Sequence, residues 1–301
     1  MIRTKKVLIA VAIFWGIWGN AQQLPQFTQY LYNTVSVNPA YAGSRENLNV
    51  TALHRNQWSG LDGNPTTSTF TLHAPLRNDR VGVGFSYISD DLGFERTNYI
   101  YGDFSYTVPV QEGVNLSFGL KAGFTSYYLT TPDASDNFFN NNGTVWNPNF
   151  GVGAYISSDR WFAGISSPRI LNTDLNNGEF EALERNSYYA IGGVVMDVSP
   201  DLKFKPSVIT KFTEGAPSTY DVSANFLLYE KLWIGATYRF NFANNFGAIL
   251  DYQVFKDVRI GYAYDLPTSE FSQFSTGTHE IVLIYEPFSK KKGGVKSPRY
   301  F

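Results

Sequence analysis

The sequence contains no cysteine among its 301 residues, which excludes a disulfide framework and any thiol chemistry. It has no surplus of positive charge either, since the formal net charge is −2 at pH 7, and so it offers no basic surface for nucleic acid. No G-x-S-x-G motif occurs, and the glycine runs lie within predicted strands rather than before helices, which excludes a phosphate-binding loop. No His, Asp and Glu residues have the spacing of metal ligands, so we predict no metal or other cofactor.

One apolar run, VLIAVAIFWGIW at residues 7–18, stands apart from the rest of the chain. It is too short to span a bilayer as a helix, so a retained anchor is disfavoured. Basic residues precede the run, and the small residues Gly19 and Ala21 follow it at positions −3 and −1 of a cleavage site. We therefore predict a signal peptide at residues 1–21 and a mature chain that begins at Gln22, with no cysteine there to carry a lipid.

Aromatic residues are abundant, at 17% of the chain, and many of them recur with a period of two. Residues 114–125, VNLSFGLKAGFT, place Val, Leu, Phe and Ala on one face and Asn, Ser, Gly, Lys and Thr on the other. Alternation over this length is typical of a β-strand with one apolar face. Similar segments continue towards the end of the chain, so we predict an all-β fold.

Two architectures would use these faces differently. A soluble sandwich buries the apolar face and exposes the charged one, whereas a transmembrane barrel turns the apolar face to lipid and the polar face to its lumen. The polar faces here are rich in Gly and Ser, and the apolar faces carry Tyr and Phe near strand ends, where an aromatic girdle lies. With the signal peptide, this pattern favours a transmembrane antiparallel outer-membrane β-barrel.

Fourteen segments fit as strands, and bacterial single-chain barrels have an even number of strands. The predicted strands are 48–58, 66–76, 81–89, 97–110, 114–126, 148–157, 160–167, 187–198, 202–212, 219–229, 231–240, 244–255, 257–266 and 277–288. Short turns and longer loops alternate between them, which places the turns and both ends of the barrel in the periplasm. The predicted division is a signal peptide (1–21), a periplasmic N-terminal segment (22–47), the barrel (48–288) and a basic periplasmic tail (289–301).

The N-terminal segment contains LPQFTQYLYNTVSVNPAYAG at residues 24–43, which does not alternate. Phe27, Tyr30 and Leu31 have the spacing of one helical face, so a short helix can form there. Pro39 restrains the residue before it to extended geometry, and NPAYAG is predicted to form a turn. The segment is either a leader that packs at the periplasmic mouth of the barrel or a plug or docking element.

The charged residues predicted to face the lumen carry both signs. They are Asp103, Lys121, Lys203, Lys205, Lys211, Asp221, Arg239, Asp251, Arg259 and Asp265. Mixed charges can line a diffusion pore or brace a closed lumen as pairs, and the sequence leaves both readings open.

The three histidines do not suggest a catalytic site. His54 and His279 follow the apolar phase of their strands, whereas His73 follows the polar phase, where a lumenal histidine bonded to Thr and Asn is expected. A serine partner such as Ser68 lies on the opposite face from His73, and a hydrolase needs these groups together. We therefore predict that the protein is not an enzyme.

Two long loops have the most polar sequences. Residues 131–144 are rich in Asn and Asp, and a Ca²⁺ site formed by Asp133, Asp136 and Asn137 is an alternative to a solvated loop, although the spacing is not that of a calcium loop. Residues 177–186, NGEFEALERN, have a composition that can form one or two turns of helix.

A series of motifs covers almost all of the mature chain. It begins with PQFTQYLYN and NPAYAG, continues with ALHRNQWSG, NPTTSTFTLHAPL and DDLGFERTNYIYGDFSYTVPV, and ends with DVRIGYAYD and STGTHEIVLIYEPF. In this combination the chain resembles the PorP/SprF family, which are outer-membrane proteins of the type IX secretion system in Bacteroidota.

The resemblance implies a non-enzymatic barrel in outer-membrane lipid that assists the secretion or surface attachment of a large adhesin with a type B C-terminal domain, and gliding motility. It also implies periplasmic partners in the secretion machinery, while loops 127–147 and 168–186 would meet the exported partner. The candidate partner-binding residues lie in the N-terminal motifs and are Phe27, Gln29, Tyr30, Asn38, Pro39, Tyr41, Arg55 and Trp58. A passive porin-like channel and an outer-membrane hydrolase are the alternatives.

Overall fold

The structure is a computed structural model that describes residues 26–45, 47–76, 80–129, 144–174, 183–240, 245–268 and 275–287. The predicted signal peptide, the Ca²⁺ site at Asp133, Asp136 and Asn137, and the basic tail lie outside the described residues. Most of the predicted helix in residues 177–186 also lies outside them. Of its described residues, 183–186, Leu183–Glu184 instead pair with Thr173–Asp174 as a short antiparallel ladder.

Fourteen antiparallel strands form the wall of a closed barrel, which confirms the predicted fold class. They are β1 (Asn49–Asn56), β2 (Thr66–Pro75), β3 (Val81–Leu92), β4 (Glu95–Gln111), β5 (Val114–Leu129), β6 (Val145–Ser158), β7 (Trp161–Ser167), β8 (Ser187–Val194, continued by Met196–Ser199), β9 (Leu202–Thr213), β10 (Thr219–Leu228), β11 (Leu232–Phe240), β12 (Asn245–Phe255), β13 (Val258–Pro267) and β14 (Thr278–Tyr285). Each strand pairs with its neighbours in sequence, and β1 closes the ring by pairing with β14.

Side chains alternate between two environments along each strand. On β5, Phe118, Leu120 and Phe124 are exposed on the outer face, whereas Ser117 and Lys121 are buried on the inner face. A soluble sheet shows the opposite arrangement, with its apolar face buried. The outer face is therefore the lipid-facing surface of a membrane barrel.

The apolar part of the outer face has the height of a bilayer core. On β4 every second residue from Ile100 to Val110 faces outwards, and all but Gly102 are apolar and bulky. This stretch of strand is about 33 Å long, and at a tilt of about 40° it rises about 25 Å, as the apolar band of such barrels does. The outward residues Asn98 and Arg96 follow, so the boundary of the bilayer lies just beyond Ile100.

The two ends of the barrel carry connections of different length. At one end, which we call the turn side, connections are tight, as at Tyr229 and Glu230, whose φ angles of 52° and 54° are those of a type I′ turn. The other end, the loop side, carries the longer connections. β1 begins and β14 ends at the turn side, which faces the periplasm in barrels of this kind.

The chain before β1 forms three short helical turns. They are the 3₁₀ turns Tyr30–Tyr32 and Pro39–Tyr41 and the α-helical turn Thr34–Val37. The predicted helix that includes Phe27 is wrong, because the only α-helical turn of residues 26–45 begins at Thr34. Pro39 has its expected effect, since Asn38 is extended (φ −133°, ψ 107°) and its side chain accepts a hydrogen bond from the Ala40 N–H at 3.0 Å. No helix within the described ranges is long and apolar enough to cross a bilayer.

Residues 26–45, which we call the lumenal segment, lie against the inner face of the barrel wall. Their hydrogen-bond partners come from strands around the ring, among them Thr69 of β2, Ser166 of β7, Arg239 of β11 and Glu280 of β14. The exposed fractions of Asn33 and Asn38 are 0%. The segment therefore does not pack only at the mouth, as one prediction had it, but runs through the interior from Gln26 near the loop side to Arg45 near the turn side.

Candidate functional site

The candidate site is the interface between the lumenal segment and the barrel wall. Near the loop side, the Arg55 guanidinium contacts Asp265 at 3.1 Å and Glu280 at 3.0 Å. The Glu280 carboxylate in turn accepts the backbone N–H groups of Thr28 at 2.9 Å and Gln29 at 2.8 Å. All three charged side chains are buried, so this ion cluster fixes the main chain of the segment to β1, β13 and β14.

A second ion pair holds the start of the segment. Arg239 on β11 makes two parallel hydrogen bonds with Asp221 on β10, at 2.8 and 2.7 Å, and donates to the Phe27 carbonyl at 3.3 Å. The Gln26 amide donates to Thr219 at 3.0 Å. Thr219 is the first residue of β10 after the loop, which places the beginning of the segment near the loop side.

Two asparagines attach the middle of the segment to strands that are four apart in the wall, β2 and β6. The Asn33 amide donates to Thr69 Oγ1 at 3.0 Å, and Asn33 Oδ1 accepts from Thr71 at 3.0 Å. The Asn38 amide donates to the carbonyl of Ala154 on β6 at 3.1 Å. Both carboxamides are thereby satisfied in the interior, where an unpaired one would destabilise the fold.

Wall side chains also bind the main chain of the segment in its middle. Lys121 on β5 forms an ion pair with Asp103 on β4 at 2.8 Å and donates to the Val35 carbonyl at 3.3 Å. Ser166 on β7 donates to the Val37 carbonyl at 2.8 Å. Both hydrogen bonds are accepted by main-chain carbonyl groups, so they position the segment independently of its side chains.

The turn-side end of the segment is fastened by a histidine and an arginine. His73 faces inwards, as predicted, but its Nδ1 accepts the Gly43 N–H at 3.2 Å rather than bonding to Thr or Asn. Its ring packs edge-on against Tyr41 at a centroid distance of 5.2 Å, and Arg45 contacts Glu286 at 3.3 Å. His73 therefore positions the segment and has no arrangement that would activate a nucleophile.

The other two histidines lie on the outer face. His54 is within hydrogen-bond distance of Ser68 at 2.9 Å, and His279 of Tyr262 at 2.6 Å. Within the described part of the chain, no group of three or more His, Asp and Glu side chains could hold a metal ion.

Seven of the ten charged residues predicted to face the lumen form ion pairs across neighbouring strands. Besides the pairs of Asp103 and Asp221, Arg259 contacts Asp251 at 2.6 Å. Lys203 lies near the turn-side rim, where it contacts Asp197 at 2.8 Å and Glu230 at 3.2 Å. These pairs brace the wall, so most of the lumenal charges lie beside a charge of opposite sign.

Aromatic rings of the segment and wall contact two basic side chains on one flank. Lys205 Nζ lies 4.4 Å from the Trp233 ring centroid and 5.9 Å from that of Tyr32. The Arg259 guanidinium lies 5.9 Å from the same Tyr32 ring. The Tyr32 ring therefore lies between two basic side chains of the wall.

Wall glycines make room for the backbone of the segment. A Cβ atom on Gly119 would overlap backbone atoms of Pro39 and Ala40, and one on Gly153 would overlap the Asn38 side chain. By contrast, a Cβ on the outward Gly102 would have its nearest neighbour at 3.9 Å. Glycine on the inner face is therefore required by the close approach of the segment.

We expect Gly119→Ala to destabilise the barrel by about 1–3 kcal/mol, because the added methyl group meets main-chain atoms that cannot rotate away. The Gly102→Ala variant is the matched control on the neighbouring strand, and we expect it to be neutral or slightly stabilising. Urea unfolding of both variants in lipid vesicles measures the difference. Equal stabilities would show that the segment does not press against β5.

The structure places seven of the eight predicted partner-binding residues in the barrel interior. These are Phe27, Gln29, Tyr30, Asn38, Pro39, Tyr41 and Arg55. Trp58 follows β1 in left-handed backbone geometry (φ 54°), and its backbone N–H donates to the Thr278 hydroxyl at 3.2 Å. A partner could reach the seven buried residues only if the segment left the lumen. Partner binding by all eight residues stays a prediction.

Three residues important for the interface are not among the predicted partner-binding residues. Glu280 lies on the polar face of the alternating segment THEIVLIY, and this alternation was the sequence signal that could have placed its side chain in the lumen. Asn33 and Arg45 lie in a stretch without periodicity, so no pattern marked their side chains as inward.

Residues 19–285 match a family model described as type IX secretion system membrane protein PorP/SprF. This match covers most of the chain and shows its family. The chain belongs to the PorP/SprF family. This membership makes the protein a membrane component of the type IX secretion system, as the motif resemblance implied.

Solved structures with a similar fold are outer-membrane barrels. The Acinetobacter baumannii outer membrane protein Omp33 is 11% identical, with a TM-score of 0.51 over 81% of this chain and 100% of that chain. The CymD monoaromatic hydrocarbon channel is 11% identical, with a TM-score of 0.49 over 84% of this chain and 97% of that chain. None of the curated protein sequences matches significantly. The likeness to Omp33 concerns the fold alone and, with the PorP/SprF family, indicates the outer membrane.

Proposed function

We propose that this PorP/SprF barrel is a non-enzymatic outer-membrane component that assists the secretion or surface attachment of a large adhesin with a type B C-terminal domain, and thereby gliding motility. The lumenal segment acts in this proposal as a plug that keeps the barrel closed. The observation that carries the proposal is the attachment of this segment to the wall by buried polar contacts at both ends and in the middle.

A passive channel is the alternative, and the interior argues against it. A diffusion pore needs an open aqueous path, as in barrels of about 16–18 strands. Here the lumenal segment lies in the interior, where the side chains of Asn33 and Asn38 have no exposed surface. Inward glycines on β5 and β6 approach the segment closely. A barrel filled in this way supports an anchor for other proteins better than a route for solutes.

The surfaces available to partners then lie outside the lumen. The loop side faces the exterior in our orientation, and the predicted loops 127–147 and 168–186 would contact the exported adhesin. The turn side would contact the periplasmic secretion machinery. Delivery to this location requires the predicted signal peptide, cleaved after Ala21.

Deletion of the gene is expected to leave one large exported protein missing from the cell surface or shed into the medium. Mass spectrometry of surface and medium fractions would identify that protein, and purification of the native barrel complex would test whether it is bound. Complementation with the intact chain should restore it. Unchanged surface and medium fractions in the deletion strain would contradict the adhesin role.

A hydrolase is tested separately with His73→Ala. Since His73 binds a backbone amide of the segment, we expect no esterase activity in the purified intact chain and thus none to lose. An activity of the intact chain that disappears in this variant would overturn the non-enzymatic assignment.

A further inference from the structure

A small cavity remains between the lumenal segment and strands β9 to β12. Its volume is about 30 Å³. Besides residues 28–32 of the segment, its polar lining includes Lys205, Ser207, Ser223, Asn225 and Thr237. One water molecule needs roughly 10–15 Å³ of such space, so the cavity can hold about two.

Gln29 on the edge of this cavity has a carboxamide without a protein partner. The side chain is 1% exposed, and neither Oε1 nor Nε2 has a hydrogen bond to the described residues. Its backbone N–H, in contrast, is bound by Glu280. Buried carboxamides in folded proteins are almost always hydrogen-bonded to protein or to ordered water.

A second buried acceptor near Gln29 also lacks a hydrogen-bond partner among the described residues. Asp251 Oδ1 receives both hydrogen bonds from Arg259, at 2.6 and 3.0 Å, whereas Asp251 Oδ2 has no partner among the described residues. The position of a Cβ on Gly261 lies 2.7 Å from Gln29 Oε1 and 3.3 Å from Asp251 Oδ2. Both oxygens therefore lie over Gly261, within the span that one or two water molecules bridge.

The two oxygens are both acceptors, so they cannot bond to each other and need a donor between them. A metal cation would meet repulsion from Arg259, which already neutralises Asp251. Water can donate to both oxygens and also accept from the Gln29 amide, and it carries no charge.

We propose that ordered water bridges the Gln29 carboxamide and Asp251 Oδ2 over Gly261, beside this cavity, and thereby links the lumenal segment to β12. The proposal rests on the barrel geometry and is independent of the secretion role.

A crystal structure of the full chain in detergent, at a resolution that shows ordered water, tests the proposal. The expected result is water within hydrogen-bond distance of the Gln29 carboxamide and Asp251 Oδ2. A dry site would overturn it, as would a rotated amide whose Nε2 donates directly to Asp251.

The same structure of Gln29→Leu is expected to lose the bridging water, because leucine offers no polar atom. Gln26→Leu is the matched control, since the Gln26 amide bonds directly to Thr219, and it should keep the water. Water retained unchanged in Gln29→Leu would contradict the assignment. If that variant does not fold, the structure of the intact chain decides alone.

Discussion

A variant that lacks residues 26–45 is expected to form a wide, steadily open pore, whereas the intact chain should give no steady conductance. Barrels of about 8 strands are filled by their own side chains, and those of about 16–18 strands enclose water. A barrel of fourteen strands lies between these sizes and needs additional chain to fill it. Removing the lumenal segment takes away that chain and leaves the wall, whose ion pairs are mostly between neighbouring strands.

Single-channel recording in planar bilayers measures this effect. The deletion variant must first be shown to fold, for which strand content by circular dichroism and resistance of the barrel to protease are suitable controls. A folded deletion variant that does not conduct would show that something other than the segment closes the lumen. A large, steady pore in the intact chain would favour the passive channel.

Arg55→Ala should destabilise the barrel by about 3–5 kcal/mol, because it leaves two buried carboxylates without their cation. Asp265 and Glu280 both contact Arg55 and are almost fully buried. Glu280 also holds the backbone of Thr28 and Gln29, so protonation or movement of Glu280 would loosen the segment. Urea unfolding in lipid vesicles measures the free energy of unfolding.

Arg96→Ala is the matched control, since Arg96 also pairs with a carboxylate, that of Asp91, but its side chain is 60% exposed. We expect this exposed pair to contribute only about 0–1 kcal/mol. Similar losses in the two variants would mean that Arg55 is not buried in a filled interior.

The barrel could be predicted from the sequence because its signal is local. Lipid on one side and a polar lumen on the other impose alternation on each strand, as on β5. The eighth strand alternated poorly for a physical reason, because Tyr189 and Ile191 face inwards and pack in an interior apolar cluster, while Tyr188 faces lipid. Apolar residues on both faces hide the period of two.

The position of the lumenal segment could not be predicted in the same way. Its short helical turns have no long period, and its partners are far away in sequence. Arg55 and Glu280 are 225 residues apart and meet only because β1 closes the barrel against β14. Gly119 likewise looked like a polar-phase residue, and only the proximity of Ala40 explains why it is glycine.

Thiol cross-linking in native outer membranes tests most directly whether residues 26–45 occupy the barrel interior. The chain has no cysteine, so an introduced pair reports its own contact alone. Asn33→Cys with Thr69→Cys joins the segment to β2, where the two side chains now bond at 3.0 Å. His54→Cys with Ser68→Cys joins neighbouring strands on the outer face and serves as the control. We predict that a short bifunctional thiol reagent links both pairs; linkage of the control alone would contradict a filled lumen.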